Sequence, residues 1–245
     1  MNEVIKLYKN LGETPLECLG RLRRESPEYE NAKMTYLGRL DPMAEGLLLV
    51  LINSVKDKEK YLGMDKTYEF EVLWGFETGT YDVLGLVKAS LKSPEKLEAK
   101  MPGLLKKISE KKTQVYPPFS SKVFKGNYLT ARENRISELD IAEKGVRIFD
   151  IKHLHTRQVL GKDILENISE RIALVKGDFR QKEILKGWQK AIRGREEEQF
   201  LVSRFVADVS SGTYIRSLSH EMGKLIGTPT LAFGIKRTRV GDFYL

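Results

Sequence analysis

The sequence predicts an α+β fold around a mixed or antiparallel sheet. The segment from Lys66 to Trp74, KTYEFEVLW, alternates apolar and polar side chains, and the segment from Phe200 to Ser211 alternates more weakly. Helical patterns stand between and after these strands at irregular intervals. Because strands and helices do not alternate regularly, a doubly wound parallel sheet is not favoured.

The first predicted helix runs from about Thr14 to Arg24. Its start, Thr14-Pro15-Leu16-Glu17, has the spacing of a capping box with proline at the first helical position, and leucines follow at helical intervals. Cys18 in this helix is the single cysteine of the chain. We therefore expect a packed thiol and neither a disulfide framework nor a thiolate metal cluster.

The next stretch, YLGRLDPMAEGLLLVL, places a carboxylate before a rigid proline and an apolar run. In one interpretation Asp41 caps a short helix that begins at Pro42, because aspartate is a preferred cap and proline fits the first helical position. In the other interpretation Asp41 is a reactive group on a stiff turn, anchored by a buried strand from Leu47 to Ile52. The local pattern leaves both open.

The central part of the chain predicts a strand, a helix and an insertion. The strand from Lys66 to Trp74 has one covered face, and a helix from Ser93 to Lys111 is expected to break near Pro102. The segment from Tyr116 to Gly145 contains two prolines, polar turns and an Arg/Glu-rich stretch. These features are typical of a mobile insertion.

The last third predicts two helices on either side of a strand. An apolar stripe predicts a helix from Asp178 to Ile192, in which Trp188 is expected to be a core residue. After the strand that ends at Ser211, a turn at Gly212 leads into a helix that ends at Gly227.

The charge favours a polyanionic partner. Lys and Arg total 42 against 34 Asp and Glu, which gives a net charge of +8 and a pI near 9.3. An ordinary solvated surface is the alternative explanation. The sequence has no apolar run near the roughly 20 residues that span a bilayer, and MNEVIKLYKN lacks the apolar core of a secretion signal. We expect a soluble, cytoplasmic protein without a membrane partner.

Several common sites lack support. The sequence has no GxGxxG, GxxxxGK[ST] or HExxH motif. His153 and His155 have no third ligand cluster, so a basic strand is the preferred interpretation and no metal is expected. A Ser-His-Asp arrangement would need His220, which follows no nucleophile-elbow motif.

Three residues remain as candidates for chemistry: Asp41, Arg216 and Tyr68. Arg216 falls in the first turn of the helix after Gly212, near its buried stripe, and a half-buried guanidinium needs an anion. If that anion is Asp41, the pair keeps the carboxylate ionised, so Asp41 can act as a nucleophile or a positioned weak base. A plain buried ion pair is the alternative.

Six segments, spread in order over nearly the whole chain, resemble the TruB-type pseudouridine synthases, which isomerise a uridine in the T-loop of tRNA. These segments are LYKNLGETP, GRLDPMAEGLLLV, KTYEFEVLWGFETGTYDVLG, QVYPPFSSKVFKG, SSGTYIRSLSHEMGKLIG and IKRTRVGDF. The resemblance implies a mixed, mostly antiparallel central sheet flanked by helices, with an RNA-clasping insertion at about 118–145. It also implies that no cofactor or metal is required.

The resemblance assigns roles to five residues. It implies that Asp41 is the catalytic aspartate, Arg216 its arginine partner and Tyr68 the tyrosine that stacks on the target base. It further implies that Tyr214 lines the pocket and that Ile235 packs under the base. The implied activity is conversion of uridine 55 to pseudouridine in the T-loop, with the T-loop and T-stem of tRNA as the partner.

Three positions depart from the family pattern. Tyr36 replaces a common histidine and is expected to contact substrate by stacking, Asn10 replaces a proline, and Glu45 replaces a small Thr or Ser. The last change is similar to the RsuA-type synthases, so an enzyme for ribosomal RNA is one alternative. A non-catalytic tRNA-binding or tRNA-folding module is another. We expect one monomeric catalytic domain over residues 1–245, without a C-terminal PUA domain.

Overall fold

A computed structural model of the chain describes residues 3–53, 58–119, 123–124, 127–128 and 143–245. The strands are β1 (Glu3–Lys9), β2 (Met34–Leu37), β3 (Ala44–Ile52), β4 (Lys66–Trp74), β5 (Phe76–Thr78), β6 (Val87–Ser90), β7 (Thr113–Val115), β8 (Val123–Phe124), β9 (Asn127–Tyr128), β10 (Glu143–Gly145), β11 (Ile148–Leu160), β12 (Gln199–Val209), β13 (Thr230–Val240) and β14 (Phe243–Tyr244). The helices are α1 (Pro15–Glu25), α2 (Lys58–Leu62), α3 (Leu97–Ser109), α4 (Gly161–Ala173), α5 (Gln181–Ile192) and α6 (Ile215–Ile226).

A mixed sheet forms the centre of the fold, with strand order β1-β3-β13-β4-β12-β11. In addition, β2 pairs with β3 and β14 pairs with β13. Only the pairing of β13 with β3 is parallel among the neighbours in this sheet, as far as the described strands extend. The predicted α+β architecture with a mostly antiparallel sheet is therefore confirmed.

The helices cover the apolar surfaces of the sheet in separate clusters. Side chains of β4, β12 and β13 form one core with α3 and α6. Helices α4 and α5 pack on a second cluster, which contains Leu73 of β4 and Trp188 of α5. Helix α1 packs on β3 through Cys18 and Leu19. The expected burial of Cys18 and of Trp188 is confirmed, since neither is accessible to solvent.

Local patterns predicted four elements correctly. Helix α1 begins after Thr14, which accepts from the backbone of Glu17 while the Glu17 carboxylate accepts from the backbone of Thr14, as the capping box requires. Strands β4 and β12 alternate between buried and partly exposed positions as expected. Helix α6 ends at Gly227, whose positive φ of 80° suits glycine.

Of the two interpretations left open for Asp41, the cap of a helix that begins at Pro42 is not observed: residues 42 and 43 form a turn in which the Ala44 amide donates to the Asp41 carbonyl at 2.9 Å. Two predicted helices also differ from the structure. Helix α3 runs unbroken through Pro102, because the acceptor that proline leaves unused belongs to the exposed first turn, where water can satisfy it. Helix α3 begins at Leu97 and helix α5 at Gln181, later than the predicted Ser93 and Asp178.

The predicted insertion at about 118–145 lies mostly outside the described residues. Within it, β8 pairs with β9, and β10 pairs with β7 at the base of the segment. Strand β11 contains the basic strand expected at His153 and His155, whereas helix α4 was not among the predicted elements. Over the described part of the chain, every helix is too short or too polar to cross a membrane.

Candidate active site

A short turn between β2 and β3 carries Asp41. The Gly12 amide donates to the Pro42 carbonyl at 2.9 Å, and the buried ammonium of Lys9 donates to the Ala44 carbonyl. These contacts tie the turn to the loop after β1, and the apolar strand β3 follows directly. The backbone that presents Asp41 is therefore anchored on both sides.

Arg216 reaches this turn from the first turn of α6. Its Nε donates to Oδ2 of Asp41 at 2.8 Å, its Nη1 donates to the Thr80 carbonyl at 2.7 Å, and its Nη2 donates to the Phe119 carbonyl at 3.0 Å. The Arg216 side chain is 5% exposed, whereas that of Asp41 is 42% exposed. The guanidinium is thus fixed from three directions, and the carboxylate it holds remains accessible.

A second carboxylate, Asp82, lies beside the same guanidinium. Its Oδ2 is 3.7 Å from Nε of Arg216, while its Oδ1 accepts from Thr80 Oγ1 at 2.6 Å and from the Leu84 amide at 3.0 Å. Burial raises the pKa of Asp82 above its ordinary value, against the opposing effects of Arg216 and Thr80. Asp82 stands within the segment KTYEFEVLWGFETGTYDVLG but was not predicted to belong to the site.

The two carboxylates determine the charge of Arg216. Burial by itself would lower the pKa of this guanidinium, but the charges of Asp41 and Asp82 and the hydrogen bond to Asp41 raise it above its ordinary value. Arg216 is therefore a permanent cation at the site. The predicted pairing of Asp41 with Arg216 is present in the structure, as a network with one further member.

Tyr68 and Ile235 lie on neighbouring central strands and belong to one apolar cluster. Both side chains are buried, and Ile235 pairs in register with Phe70 on β4 and with Ala44 on β3. Because Ala44 follows Asp41 by three residues, this cluster lies against the turn that carries the carboxylate. The structure therefore brings Tyr68 and Ile235 to the base of the Asp41 turn.

Tyr214 is held at the start of α6 by a glutamine that sequence reasoning did not single out. The buried Gln114 side chain donates to the Tyr214 carbonyl at 3.0 Å and accepts from its amide at 2.8 Å. The ring of Tyr214 meets Tyr116 edge-on, with centroids 5.7 Å apart. Gln114 thus links β7, at the base of the insertion, to the residue two positions before Arg216.

Tyr36 and Glu45 lie apart from this cluster. Tyr36 pairs with Val50 on β3 and packs against the apolar cluster that includes Cys18 of α1, so contact between Tyr36 and RNA stays a prediction. Glu45 alternates with Ala44 on β3 and therefore points to the opposite face of the sheet, where it accepts from the Tyr8 hydroxyl at 2.7 Å. This hydrogen bond explains why a glutamate fits there.

No group of three His, Cys, Asp or Glu side chains is arranged to bind a metal within the part of the chain that the structure describes. His153 instead contacts Thr156 Oγ1 through Nε2 at 2.9 Å, and a bulge separates His153 from His155 in the pairing of β11 with β12. Asp41 and Asp82 both lie beside the Arg216 guanidinium, and Oδ1 of Asp82 also accepts from a hydroxyl and an amide. The arginine therefore already compensates negative charge at this site.

Comparison with known proteins identifies relatives along the whole chain. The family described as TruB family pseudouridylate synthase (N terminal domain) matches residues 26–177. The tRNA pseudouridine synthase B of Aquifex aeolicus is 28% identical over 245 residues, which cover 99% of this chain and 69% of the relative. The enzymes of the same name from Mesomycoplasma hyopneumoniae and Thermosipho melanesiensis are each 28% identical, with 56% and 64% of their length covered and 91% and 98% of this chain.

Solved structures show the same fold at low identity. A Cbf5-Nop10-Gar1 complex matches with a TM-score of 0.58 at 19% identity, over 98% of this chain and 49% of that one. An H/ACA RNP bound to a substrate RNA containing 2'-deoxyuridine matches with a TM-score of 0.55 at 18% identity, over 98% and 48%. The chain spans about half the length of these solved chains. The predicted pseudouridine synthase fold is confirmed.

Proposed function

The chain belongs to the TruB family of pseudouridylate synthases, and from this premise we propose that it converts uridine 55 in the T-loop of tRNA to pseudouridine. One observation carries the proposal. Asp41 presents a half-exposed carboxylate whose Oδ2 is bound by the buried Arg216, while Oδ1 accepts no hydrogen bond from the described residues. One oxygen is fixed, and the other is available to a substrate.

The isomerisation needs little beyond such a carboxylate. The bond between N1 and C1′ of the uridine breaks, the base rotates, and C5 bonds to C1′ instead. C5 then loses its proton and N1 gains one, so the product is an isomer of the substrate. An ionised Asp41 can attack C1′ or C6 as a nucleophile, or can remove the proton from C2′. Arg216 supports each of these routes because its hydrogen bond to Oδ2 fixes the carboxylate and leaves Oδ1 to face the substrate.

The neighbouring apolar cluster provides the proposed base pocket. A uridine stacked in RNA must be flipped out of its stack, which costs a few kcal/mol. We assign Tyr68 to stacking on the flipped ring, Ile235 to the opposite contact and Tyr214 to the pocket wall. Stacking on an aromatic ring contributes about 1–3 kcal/mol per base, enough to offset much of that cost.

The charge of the chain supports an RNA substrate. The net charge of +8 favours contact with phosphates, and binding through phosphates weakens as salt rises because counterions are released on association. The relatives named tRNA pseudouridine synthase B support tRNA in particular. We therefore propose the T-loop and T-stem of tRNA as the bound segment.

A modification assay on two RNAs tests this function. Purified protein is incubated separately with unmodified tRNA and ribosomal RNA transcripts, and pseudouridine is mapped by carbodiimide primer extension. A stop at position 55 of the tRNA is the expected result. Modification of ribosomal RNA alone would replace the tRNA proposal by an RsuA-like activity, and binding of tRNA without any modification would identify a non-catalytic module.

A further inference from the structure

We propose that His220 is a positioning residue for this reaction: its ring supports Tyr81 in a backbone conformation that directs the Thr80 carbonyl at Arg216. This inference rests on the proposed function and adds a residue to it. His220 does not reach Asp41, so its effect on the reaction must pass through Tyr81 and Thr80. Each step from His220 to Arg216 is a contact or a covalent bond between described residues.

The first link is the position of His220 on α6. His220 follows Arg216 by four residues, so the two side chains project from the same face of the helix. Both reach the loop after β5: Arg216 binds the Thr80 carbonyl, and the His220 ring lies on the Tyr81 ring. One helix face therefore holds this loop at two adjacent residues.

The second link is the ring contact itself. The centroids of Tyr81 and His220 are 3.9 Å apart, and the ring planes differ by 8°. Aromatic pairs generally prefer offset or edge-on arrangements to such a face-to-face stack. The surrounding structure therefore imposes this geometry, with His220 fixed by the helix and 8% exposed.

The third link is the strained backbone of Tyr81. Its φ is 63°, in the left-handed region that non-glycine residues with large side chains rarely adopt. The Tyr81 amide donates to the Thr78 carbonyl at 3.3 Å, and its carbonyl accepts from the Ala232 amide at 2.9 Å. Strain of this kind persists only where the surrounding structure holds the residue in place. For Tyr81, the contact that α6 provides is the stacked ring of His220.

The fourth link follows from covalent geometry. The Thr80 carbonyl and the Tyr81 amide belong to one planar peptide group. Rotation about φ of Tyr81 turns this plane relative to the Tyr81 Cα and so changes the direction of the Thr80 oxygen. A change from left-handed to ordinary φ at Tyr81 would therefore move the acceptor away from Nη1 of Arg216. The guanidinium that orients Asp41 would lose one of its three fixed acceptors.

The His220 ring supports Tyr81 as an uncharged surface. Burial, together with the charges of Lys224 on α6 and Lys88 on β6, lowers the pKa of His220 to about 4. Nδ1 of His220 is buried without a hydrogen-bond partner among the described atoms. A flat apolar ring of similar size should therefore perform the same role, whereas an alanine should not.

Two substitutions at this position test the inference by steady-state kinetics on tRNA. His220→Ala is expected to lower kcat by about tenfold to a hundredfold, the range that a small misplacement of catalytic groups produces. KM should change by less than about twofold, because His220 lies outside the proposed base pocket. His220→Phe should restore kcat to within about threefold of the wild type, because its ring preserves the stack.

A glycine at position 81 separates the ring contact from the backbone. Glycine adopts positive φ without a supporting ring, so in the Tyr81→Gly background His220→Ala should lower kcat by less than about twofold. Tyr81→Ala retains a Cβ without a ring and should lose kcat as His220→Ala does. If His220→Ala lowers kcat by the same factor in the Tyr81→Gly background as in the wild type, the two residues act independently. That result would contradict coupling through Tyr81.

A core substitution away from the site controls for loss of stability. Ile168→Val, on the buried face of α4, should lower Tm with unchanged kcat. Wild-type kcat in His220→Ala, or equal losses in His220→Ala and His220→Phe, would overturn the inference. Absence of pseudouridine with the wild-type protein would instead reject the proposed function, so the two failures are distinguishable.

Discussion

Oδ2 of Asp82 lies 3.7 Å from Nε of Arg216, the nitrogen that donates to Oδ2 of Asp41 at 2.8 Å. The buried guanidinium of Arg216 therefore forms ion pairs with two carboxylates. The side chain of Asp41 is 42% exposed, whereas that of Asp82 is 6% exposed. This difference separates the two roles: a substrate can reach Asp41, while Asp82 and the Thr80 carbonyl hold the arginine in place.

The first prediction concerns Asp41→Asn. Asparagine has nearly the same shape but is neither an anionic nucleophile nor a base, so kcat on tRNA should fall by roughly a thousandfold or more. Affinity for tRNA, measured by filter binding, should stay within about threefold. Asp150→Asn removes an exposed carboxylate on β11 and should leave both quantities unchanged. Substantial turnover by Asp41→Asn would exclude Asp41 as the reacting group.

The second prediction concerns Arg216→Lys. Lysine keeps the charge but donates from one nitrogen only. The guanidinium donates from three nitrogens, to Asp41, Thr80 and Phe119. We expect kcat to fall by about a hundredfold. Thermal unfolding should also show a lower Tm, because carbonyls lose their donors in a buried site. Wild-type kcat with this variant would show that the planar geometry is dispensable.

The third prediction concerns Asp82→Asn. The amide keeps an acceptor for Thr80 and for the Leu84 amide but removes one of the two negative charges beside Arg216. We expect a fall in kcat of about tenfold to a hundredfold, smaller than that of Asp41→Asn.

A carboxylate that is paired with an arginine elsewhere provides the control for this variant. Asp208 accepts from Nη2 of Arg239 at 3.2 Å, away from the Asp41 turn. Asp208→Asn should leave kcat unchanged. If Asp82→Asn and Asp208→Asn behave alike in kinetics and differ only in Tm, Asp82 has a structural role alone.

Local patterns in the sequence predicted those elements whose causes are local. The capping box at Thr14 fixes the start of α1, and the alternation in β4 separates buried from partly exposed positions without reference to distant residues. The sequence indicated that a half-buried guanidinium at Arg216 needs an anion, and the resemblance to the TruB-type synthases implied that this anion is Asp41. That requirement does not specify how many anions are present.

Contacts between distant segments were beyond the reach of such patterns. Asp82 lies beside Arg216 of α6, and Gln114 binds Tyr214, the residue before α6 and 100 positions further along the chain. Neither Asp82 nor Gln114 belongs to a periodic pattern that marks it as part of the site. The direction of Glu45 likewise depends on the register of β3 with its neighbours. A one-residue change of register would reverse its face.

The fourth prediction contrasts two glycines. Gly46 has φ of 108°, and a Cβ there would lie 2.3 Å from the Arg237 carbonyl oxygen, so Gly46→Ala should cost at least about 2 kcal/mol of unfolding free energy. Gly103 lies inside α3 with no described heavy atom within 4 Å of such a Cβ. Gly103→Ala should stabilise by about 0.5–1 kcal/mol. Urea unfolding of both variants measures the difference, and equal effects would contradict it.

The last prediction concerns the pH dependence of stability, and it starts from two buried lysines. Burial lowers the pKa of Lys9 and of Lys66 to about 8, from the ordinary value of 10.5. Between pH 8 and 10.5 the unfolded chain therefore binds more protons than the folded chain. The two lysines therefore raise stability with pH in this window, while Cys18 acts oppositely because burial raises the pKa of its thiol above the ordinary value. Tyr8 acts oppositely above pH 10, because burial and Glu45 raise its pKa to about 12.

Urea unfolding at several values between pH 7.5 and 9.5 stays below the range in which Tyr8 contributes. The free energy of unfolding of the wild type should rise over this interval, by at most about 1.4 kcal/mol per pH unit for each lysine. Lys9→Met removes one titrating group from the folded interior, so its slope should be smaller than that of the wild type. Lys162→Met, at an exposed position, should retain the wild-type slope. Equal slopes for wild type and Lys9→Met would show that Lys9 keeps its ordinary pKa in the folded protein.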